Sequence, residues 1–397
     1  MATSDPPFAQ DALGAVLAPI GRSRTFPAEA YTSEEVFTWE QERFFEGSWV
    51  CVGRSADLSE PGTRWAVRIG TQGILLVRDE TRQLRAFSNV CRHRGHELLP
   101  TGDTAQGRVI RCPYHAWVYD LDGSLRGAPS FSEIESFDRS EFPLIEGNAA
   151  EWRGWVFVNA SAHASPLAPH IGNLDEILSA YEPERLSAAA RSDYVVEANW
   201  KLLSENYHEC YHCSSIHPEL CRVTPIDSGV DLLPDGAWAG GTMELMDHAQ
   251  TMSLTGESNG VVLRGLDDRR RREVIYAQLF PNLLISAHPD YVMTHRLEPL
   301  SPGRTRVECE WLFPPEAYER EAFDPAYAVD FWDLTNRQDW AACESVQRGA
   351  GNRGFRPGPL SSRESTLYQL LTMLAKGYLT GRVDRPNIAE LRLTARD

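Results

Sequence analysis

No stretch of this 397-residue chain comes near the roughly twenty consecutive apolar residues that cross a bilayer. A helical membrane protein is therefore not expected. Positive charge is also short: 39 Lys and Arg stand against 56 Asp and Glu, a formal net charge of −17. A nucleic-acid backbone needs a cationic footprint, so nucleic acid is not an expected partner. The one basic run, residues 269–272, follows Asp267-Asp268 and reads as a charge-balanced, solvated segment. The opening Met-Ala-Thr-Ser-Asp-Pro-Pro has neither a basic region nor an apolar run, so no secretory signal is expected. Internal repeats and low-complexity tracts are missing as well. The eight Cys are dispersed, which excludes a disulfide scaffold and suggests a cytoplasmic protein. On that reading Cys51, Cys210, Cys213, Cys221, Cys309 and Cys343 are reduced thiols. Finally, residues 349–354 match G-x-G-x-x-G, but they follow a helical pattern, and no βαβ unit surrounds them to make a dinucleotide site.

What remains is an ordinary globular composition in a chain long enough for two or three domains. Residues 1–47 read as a leader with one helix over 33–45, begun by Ser33. Residues 48–160 show short β-runs broken by Gly, Pro and Asp, such as Gly73-Ile-Leu-Leu-Val and Gly154-Trp-Val-Phe-Val. An all-β domain is expected there. Residues 161–397 mix strand patterns (194–197, 274–277, 282–286, 292–297, 305–313) with a helix from about 201 and a long one over 325–348. The expected fold class is therefore α+β, an all-β domain followed by a domain of antiparallel sheet and long helices.

The all-β part holds Cys91-Arg-His93 and Cys112-Pro-Tyr-His115. Two Cys and two His are the ligand set of a Rieske [2Fe–2S] cluster, two Cys on one iron and two His on the other. A structural zinc is the competing reading. Zinc fingers mostly pair Cys with Cys and His with His, whereas each segment here is mixed and follows an apolar strand-like run. His96 lies outside the spacing and reads as a loop hydrogen-bonder.

A second dense segment runs Glu205-Asn-Tyr-His208-Glu209-Cys-Tyr-His212-Cys-Ser-Ser-Ile-His217-Pro. His208-Glu209-x-x-His212 matches H-E-x-x-H, the pattern of a zinc hydrolase. The overlapping Glu209-x-x-His212-x4-His217 suggests a different chemistry. Glu209 and His212, three apart, are expected on one helical face. His212 and His217, five apart, imply that the helix ends or bulges before His217. Two His and a carboxylate form the facial triad of non-haem Fe(II) oxygenases, with open positions for O₂ and substrate. Asp330, Asp333, Asp339 and Glu344 compete for the carboxylate on the late helix. An electron-carrying cluster beside an oxygen-activating iron forms a coherent machine, which a hydrolase would not need.

On these motifs the chain resembles the catalytic α subunit of a Rieske non-haem iron oxygenase, over about residues 35–375. The resemblance implies Asp339 as third iron ligand, within Asn336-Arg-Gln-Asp339. It implies Glu209 as a bridge to His115 in a neighbouring copy, with Asn206 beside the electron path, and hence a homotrimer. It implies a separate NAD(P)H-dependent reductase, with or without a ferredoxin, and a small-molecule substrate with O₂. The bridging residue is Glu where ring dioxygenases commonly have Asp, and its distance from the Asn is one residue shorter. Both departures resemble the branch that oxidises quaternary ammonium compounds, and imply oxidative N-demethylation of a betaine-like substrate rather than ring hydroxylation. An aromatic cage for a trimethylammonium group would draw on Tyr207, Tyr211, Phe280, Tyr291 and Trp311, each of which could equally be core.

Overall fold

The computed structural model describes residues 7–386. They form two compact units, one of residues 41–167, the other joining residues up to 40 to those from 168 onward.

The first unit is built from short antiparallel strands. β1 (Val50–Arg54) pairs with β10 (Trp155–Asn159), which pairs with β9 (Asn148–Trp152). A second sheet runs β4 (Leu84–Ser88), β3 (Gln72–Arg78), β2 (Thr63–Ile69), β5 (Thr104–Gln106). The third, β6 (Ile110–Arg111), β7 (Val118–Tyr119) and β8 (Leu125–Gly127), carries one Cys-His loop. β2 and β3 meet at a two-residue loop where Gly70 has φ +59°. A Cβ there would press on Gln41 O and the Glu46 side chain, so only glycine serves this turn. Leu75, Val77, Phe87, Ile110, Trp117 and Tyr119 close the core, and Cys91 and Cys112 belong to it.

The second unit is organised on a seven-stranded antiparallel sheet ordered β11-β17-β16-β15-β14-β13-β12. These strands are β11 (Ser187–Val196), β12 (Val230–Asp231), β13 (Trp238–Glu244), β14 (Glu273–Leu279), β15 (Leu283–Ala287), β16 (Val292–Ser301) and β17 (Arg304–Phe313). The expected 33–45 helix is divided at the boundary of the units. α1 (Glu34–Glu40), begun by Val36 N–H donating to Ser33 Oγ, gives way to a π-helical turn, Gln41–Phe45.

Two helices position the site. α2 (Trp200–Tyr207) starts at Asn199, whose Oδ1 accepts from Lys201 N (3.0 Å) and whose Nδ2 donates to Pro302 O (2.6 Å). Its first turn is fixed by the fully buried Glu40, which accepts from Lys201 Nζ (2.7 Å), Trp200 Nε1 (2.8 Å) and the Tyr378 hydroxyl. The long helix α4 (Ala326–Ala350) is preceded in sequence by the one-turn α3 (Cys213–Ile216) and followed by α5 (Ser365–Thr380). Ala328, Phe331, Trp332, Thr335, Asn336 and Cys343 make its buried stripe, the three-and-four spacing of an amphipathic helix. α4 then ends with Gly351 N–H on Gln347 O, so the G-x-G-x-x-G match is a helix end and turn.

Candidate metal sites

The two Cys-His segments fold as matched loops. In each, the cysteine N–H donates to the carbonyl five residues on, Cys91 to His96 and Cys112 to Trp117, both at 2.8 Å. The residue four on donates back to the cysteine carbonyl, Gly95 at 3.0 Å and Ala116 at 3.2 Å. Gly95 and Ala116 both take the left-handed conformation, φ +71° and +57°. Alanine adopts it at a cost that glycine avoids, so the loop geometry overrides local preference. The loops bury both sulfurs and bring the His93 and His115 rings within 4.7 Å. His93 stacks on Trp117 (5.0 Å, 4°), and its Nδ1 is buried with no hydrogen-bond partner. A buried polar atom without a partner is costly unless something binds it, and a metal ligand nitrogen is such an atom. Tyr119 Oη lies 3.4 Å from Cys91 Sγ and accepts from Arg92 N (3.0 Å), closing one side. His96 is exposed, with Nδ1 against the Glu97 carbonyl, and stays outside this group.

The second site forms where α2 ends. The helix stops at Tyr207, earlier than a common helical face for Glu209 and His212 requires. A turn over residues 208–212 brings them together instead. Glu209 Oε2 accepts from His212 N (3.2 Å) and Tyr211 N, while Oε1 takes His212 Nδ1. With Nδ1 tied to the carboxylate, Nε2 is the free nitrogen. His217 follows α3 and is 1% exposed; its Nδ1 donates to Gln338 Oε1 (2.7 Å), which likewise frees Nε2.

Both Nε2 atoms converge on Asp339 of α4, at 3.4 Å from His212 and 2.9 Å from His217 to Oδ1. The three ligand atoms all lie within 4.8 Å of one another. Burial pulls the Asp339 carboxyl up, but hydrogen bonds with His212 and His217 outweigh it and hold it below the usual range. Burial likewise disfavours a charged His212, yet Asp339 and Glu209 raise it to about 9. The protein alone thus favours a positive charge at the spot where a cation would sit. A metal ion there would displace the Nε2 protons and leave two neutral imidazoles and a carboxylate on one face, both outer nitrogens fixed, a set that suits a divalent iron.

The competing acids on α4 are spent elsewhere. Asp333 accepts from Tyr194 Oη (2.6 Å) and Arg337 Nε (2.8 Å), Glu344 accepts from Glu197 N (3.2 Å), and Asp330 is exposed. The H-E-x-x-H reading fails on geometry. His208 directs Nδ1 at Ser204 O (2.6 Å) and Nε2 at Ala239 O (3.3 Å), and does not join His212 in the metal group. The expectation of reduced thiols also needs correction. Cys210 and Cys213 form a disulfide, because the turn marked by Cys213 N–H on Cys210 O sets their Cα atoms 4.9 Å apart, within bridging range. The other cysteines, Cys91 and Cys112 included, are free.

Asp339, His212, His217 and Glu209 open onto a cavity of about 330 Å³. Asn206, one turn before Glu209, lines it too. Its aromatic wall is Tyr207, Tyr276, Trp332 and Trp340, with Tyr276 centred 5.9 Å from Tyr207 and 6.4 Å from Trp332. Of the five aromatics expected for a cage, Tyr207 alone lines the cavity. Phe280, Tyr291 and Trp311 are fully buried in the core, and Tyr211 is exposed at the surface. Asp227 and Asp231 add negative charge to the wall, and Arg363 is the one Lys or Arg among its described residues.

Comparison with known proteins sets these two sites in context. Residues 48–138 match the Rieske [2Fe–2S] domain, and residues 183–378 the catalytic domain of the ring-hydroxylating α subunit. The glycine betaine monooxygenase oxygenase subunit of Chromohalobacter salexigens is 31% identical over 383 residues, covering 89% of this chain and 85% of that protein. The carnitine monooxygenase oxygenase subunit of Acinetobacter baumannii is 38% identical over 205 residues, 51% of this chain and 55% of that protein. A solved quaternary ammonium Rieske monooxygenase, described for carnitine oxidation and inter-subunit electron transfer, superposes with a TM-score of 0.78 at 26% identity. That superposition covers 94% of this chain and 98% of the solved one.

Proposed function

The chain belongs to the Rieske ring-hydroxylating α subunits, in their quaternary ammonium monooxygenase branch, and we propose that it N-demethylates a betaine-like substrate. The family carries a [2Fe–2S] cluster and a mononuclear iron, takes electrons from a reductase, and acts on small substrates with O₂. In this reading Cys91, His93, Cys112 and His115 hold the cluster, and His212, His217 and Asp339 hold the iron. Iron held there would supply O₂ activation, and the cluster would supply single electrons.

The chain's own residues do the rest. Glu209 and Gln338 hold the two imidazoles with Nε2 toward the metal position, so neither ring must reorient on binding. The faces of Tyr207, Tyr276, Trp332 and Trp340 attract a trimethylammonium group and present one N-methyl carbon to the site. The volume suits a small ligand and limits the water that can enter with it. Hydroxylation of the methyl group gives a carbinolamine, which collapses to formaldehyde, a proton and the demethylated amine. In a head-to-tail trimer, Glu209 would lie beside His115 of the partner subunit and carry electrons between copies, with Asn206 beside that path. The cell compartment we propose is the cytoplasm.

The observation that carries this reading is the convergence of two freed Nε2 atoms and Asp339 Oδ1 on an aromatic-walled cavity. The test is turnover of iron-reconstituted protein with a reductase and NADH, offering betaines alongside simple arenes. Formaldehyde released with one betaine supports demethylation. Oxygenated arene without formaldehyde would overturn it while leaving an oxygenase.

A further inference from the structure

Glu209 to Cys213 is the segment that places one proposed iron ligand, and it is crossed by a covalent bond that the reaction does not use. α2 ends at Tyr207 and α3 begins at Cys213, so His212 sits in a connection held by three contacts to Glu209 and by the Cys210–Cys213 disulfide. A bridge across so few residues constrains the unfolded chain little, so global stability does not account for it. C-x-x-C is the spacing of exchange-active pairs, and disulfides inside reducing compartments are mostly transient or redox-sensing. In the single chain Cys210 is partly exposed and its neighbour Tyr211 is 58% exposed. A third thiol, Cys221, lies alongside, its Sγ donating to the Cys213 carbonyl at 3.4 Å.

We propose that Cys210–Cys213 is a thiol–disulfide modification site that sets how firmly the Glu209–His212 turn holds the iron. The inference rests on the assignment of His212 as an iron ligand. In the oxidised form the bond closes the turn and keeps Glu209 against His212. A dithiol reductant donates two electrons and two protons; the S–S bond breaks to two thiols, and the dithiol becomes a disulfide. In the reverse direction hydrogen peroxide accepts two electrons and two protons from the thiols, which forms the S–S bond and two waters. With the bond open, the turn loses its closure and His212 its fixed orientation. Cys210 and Cys213 act as positioning residues, through His212.

The test uses the full-length, iron-loaded protein. Trypsin releases one fragment, residues 202–222, that holds Cys210, Cys213 and Cys221 and no internal Lys or Arg. Alkylated after denaturation, that fragment carries one alkyl group when oxidised and three after dithiothreitol. Iron release to a colorimetric chelator becomes about tenfold faster after reduction, in line with the loss of outer-shell support. Peroxide restores the slow rate, and the cluster's visible spectrum, read in its oxidised form after the dithiol is removed, reports that the cluster is intact. The double variant C210S/C213S releases iron at the reduced rate with or without dithiol, whereas Cys221→Ser keeps the response. Three alkyl groups that peroxide cannot bring to one, or equal release rates in the two states, would overturn the proposal. His212→Ala separates the two ideas: retained iron in that variant overturns the ligand assignment, whereas iron lost there with equal release rates in the unaltered chain overturns the switch alone.

Discussion

Replacing Gln338 by leucine removes the acceptor for the His217 Nδ1 proton, 2.7 Å away, without touching any of the three metal-facing atoms. His217 is 1% exposed, so no solvent takes the acceptor's place. Without metal the ring escapes by moving its proton to Nε2, where Asp339 Oδ1 at 2.9 Å accepts it. Iron needs that same Nε2 lone pair, so binding forces the proton back to Nδ1 with nothing to receive it. An orphaned buried donor costs about 1–3 kcal/mol, which weakens iron binding about 5- to 150-fold. Iron titration against a competing chelator measures this, with the cluster's visible spectrum as internal control. Gln338→Glu restores an acceptor and recovers most of the affinity. Iron affinity within about twofold of the unaltered chain would refute the tautomer argument.

Other consequences are as specific. Lys201→Met leaves Glu40 buried without its cation, and the loss of one partner from such a pair costs about 3–5 kcal/mol, which thermal unfolding reads directly. Combining it with Glu40→Leu recovers part of that loss, because Trp200 Nε1 and the Tyr378 hydroxyl still lose their acceptor. Burial raises the Glu205 carboxyl to about 7, despite its hydrogen bond from Tyr31 and the charge of Lys201. The folded state therefore binds a proton there that the unfolded chain has released. Its stabilising contribution is complete below about pH 4.5 and fades as pH rises through about 7, and Glu205→Gln flattens that slope in pH-dependent melts. Trp332→Ala raises KM for a trimethylammonium substrate more than it lowers kcat if the cavity wall binds the cation; a pure kcat loss would refute that role.

The two Cys-His loops were legible because their geometry is local: each is a handful of residues on one turn, and Cys91-x-His93 and Cys112-x-x-His115 mark them directly. The 25-residue helix α4 showed through its buried stripe for the same reason. The cavity wall was not legible. Tyr276 comes from a strand and Trp332 and Trp340 from α4, and their meeting depends on sheet register, which no short motif encodes. Tyr291 and Trp311 looked equally suitable as sequence, yet pairing places them inside the core, Tyr291 stacked on His288 at 4.1 Å. Gln338 carried no signal either, since an amide beside an acid is unremarkable until His217 folds against it. The Cys210–Cys213 pair did carry one: its C-x-x-C spacing outweighs the compartment argument that made both residues thiols.

Iron content and cluster spectrum of the Asp339→Ala protein, compared with the unaltered chain after identical anaerobic reconstitution, test the two-centre assignment with the fewest assumptions. The account predicts about three irons per chain unaltered and about two in the variant, with the same cluster spectrum and no substrate-dependent O₂ uptake. Three irons retained in Asp339→Ala, or a cluster spectrum lost with the carboxylate, would contradict it.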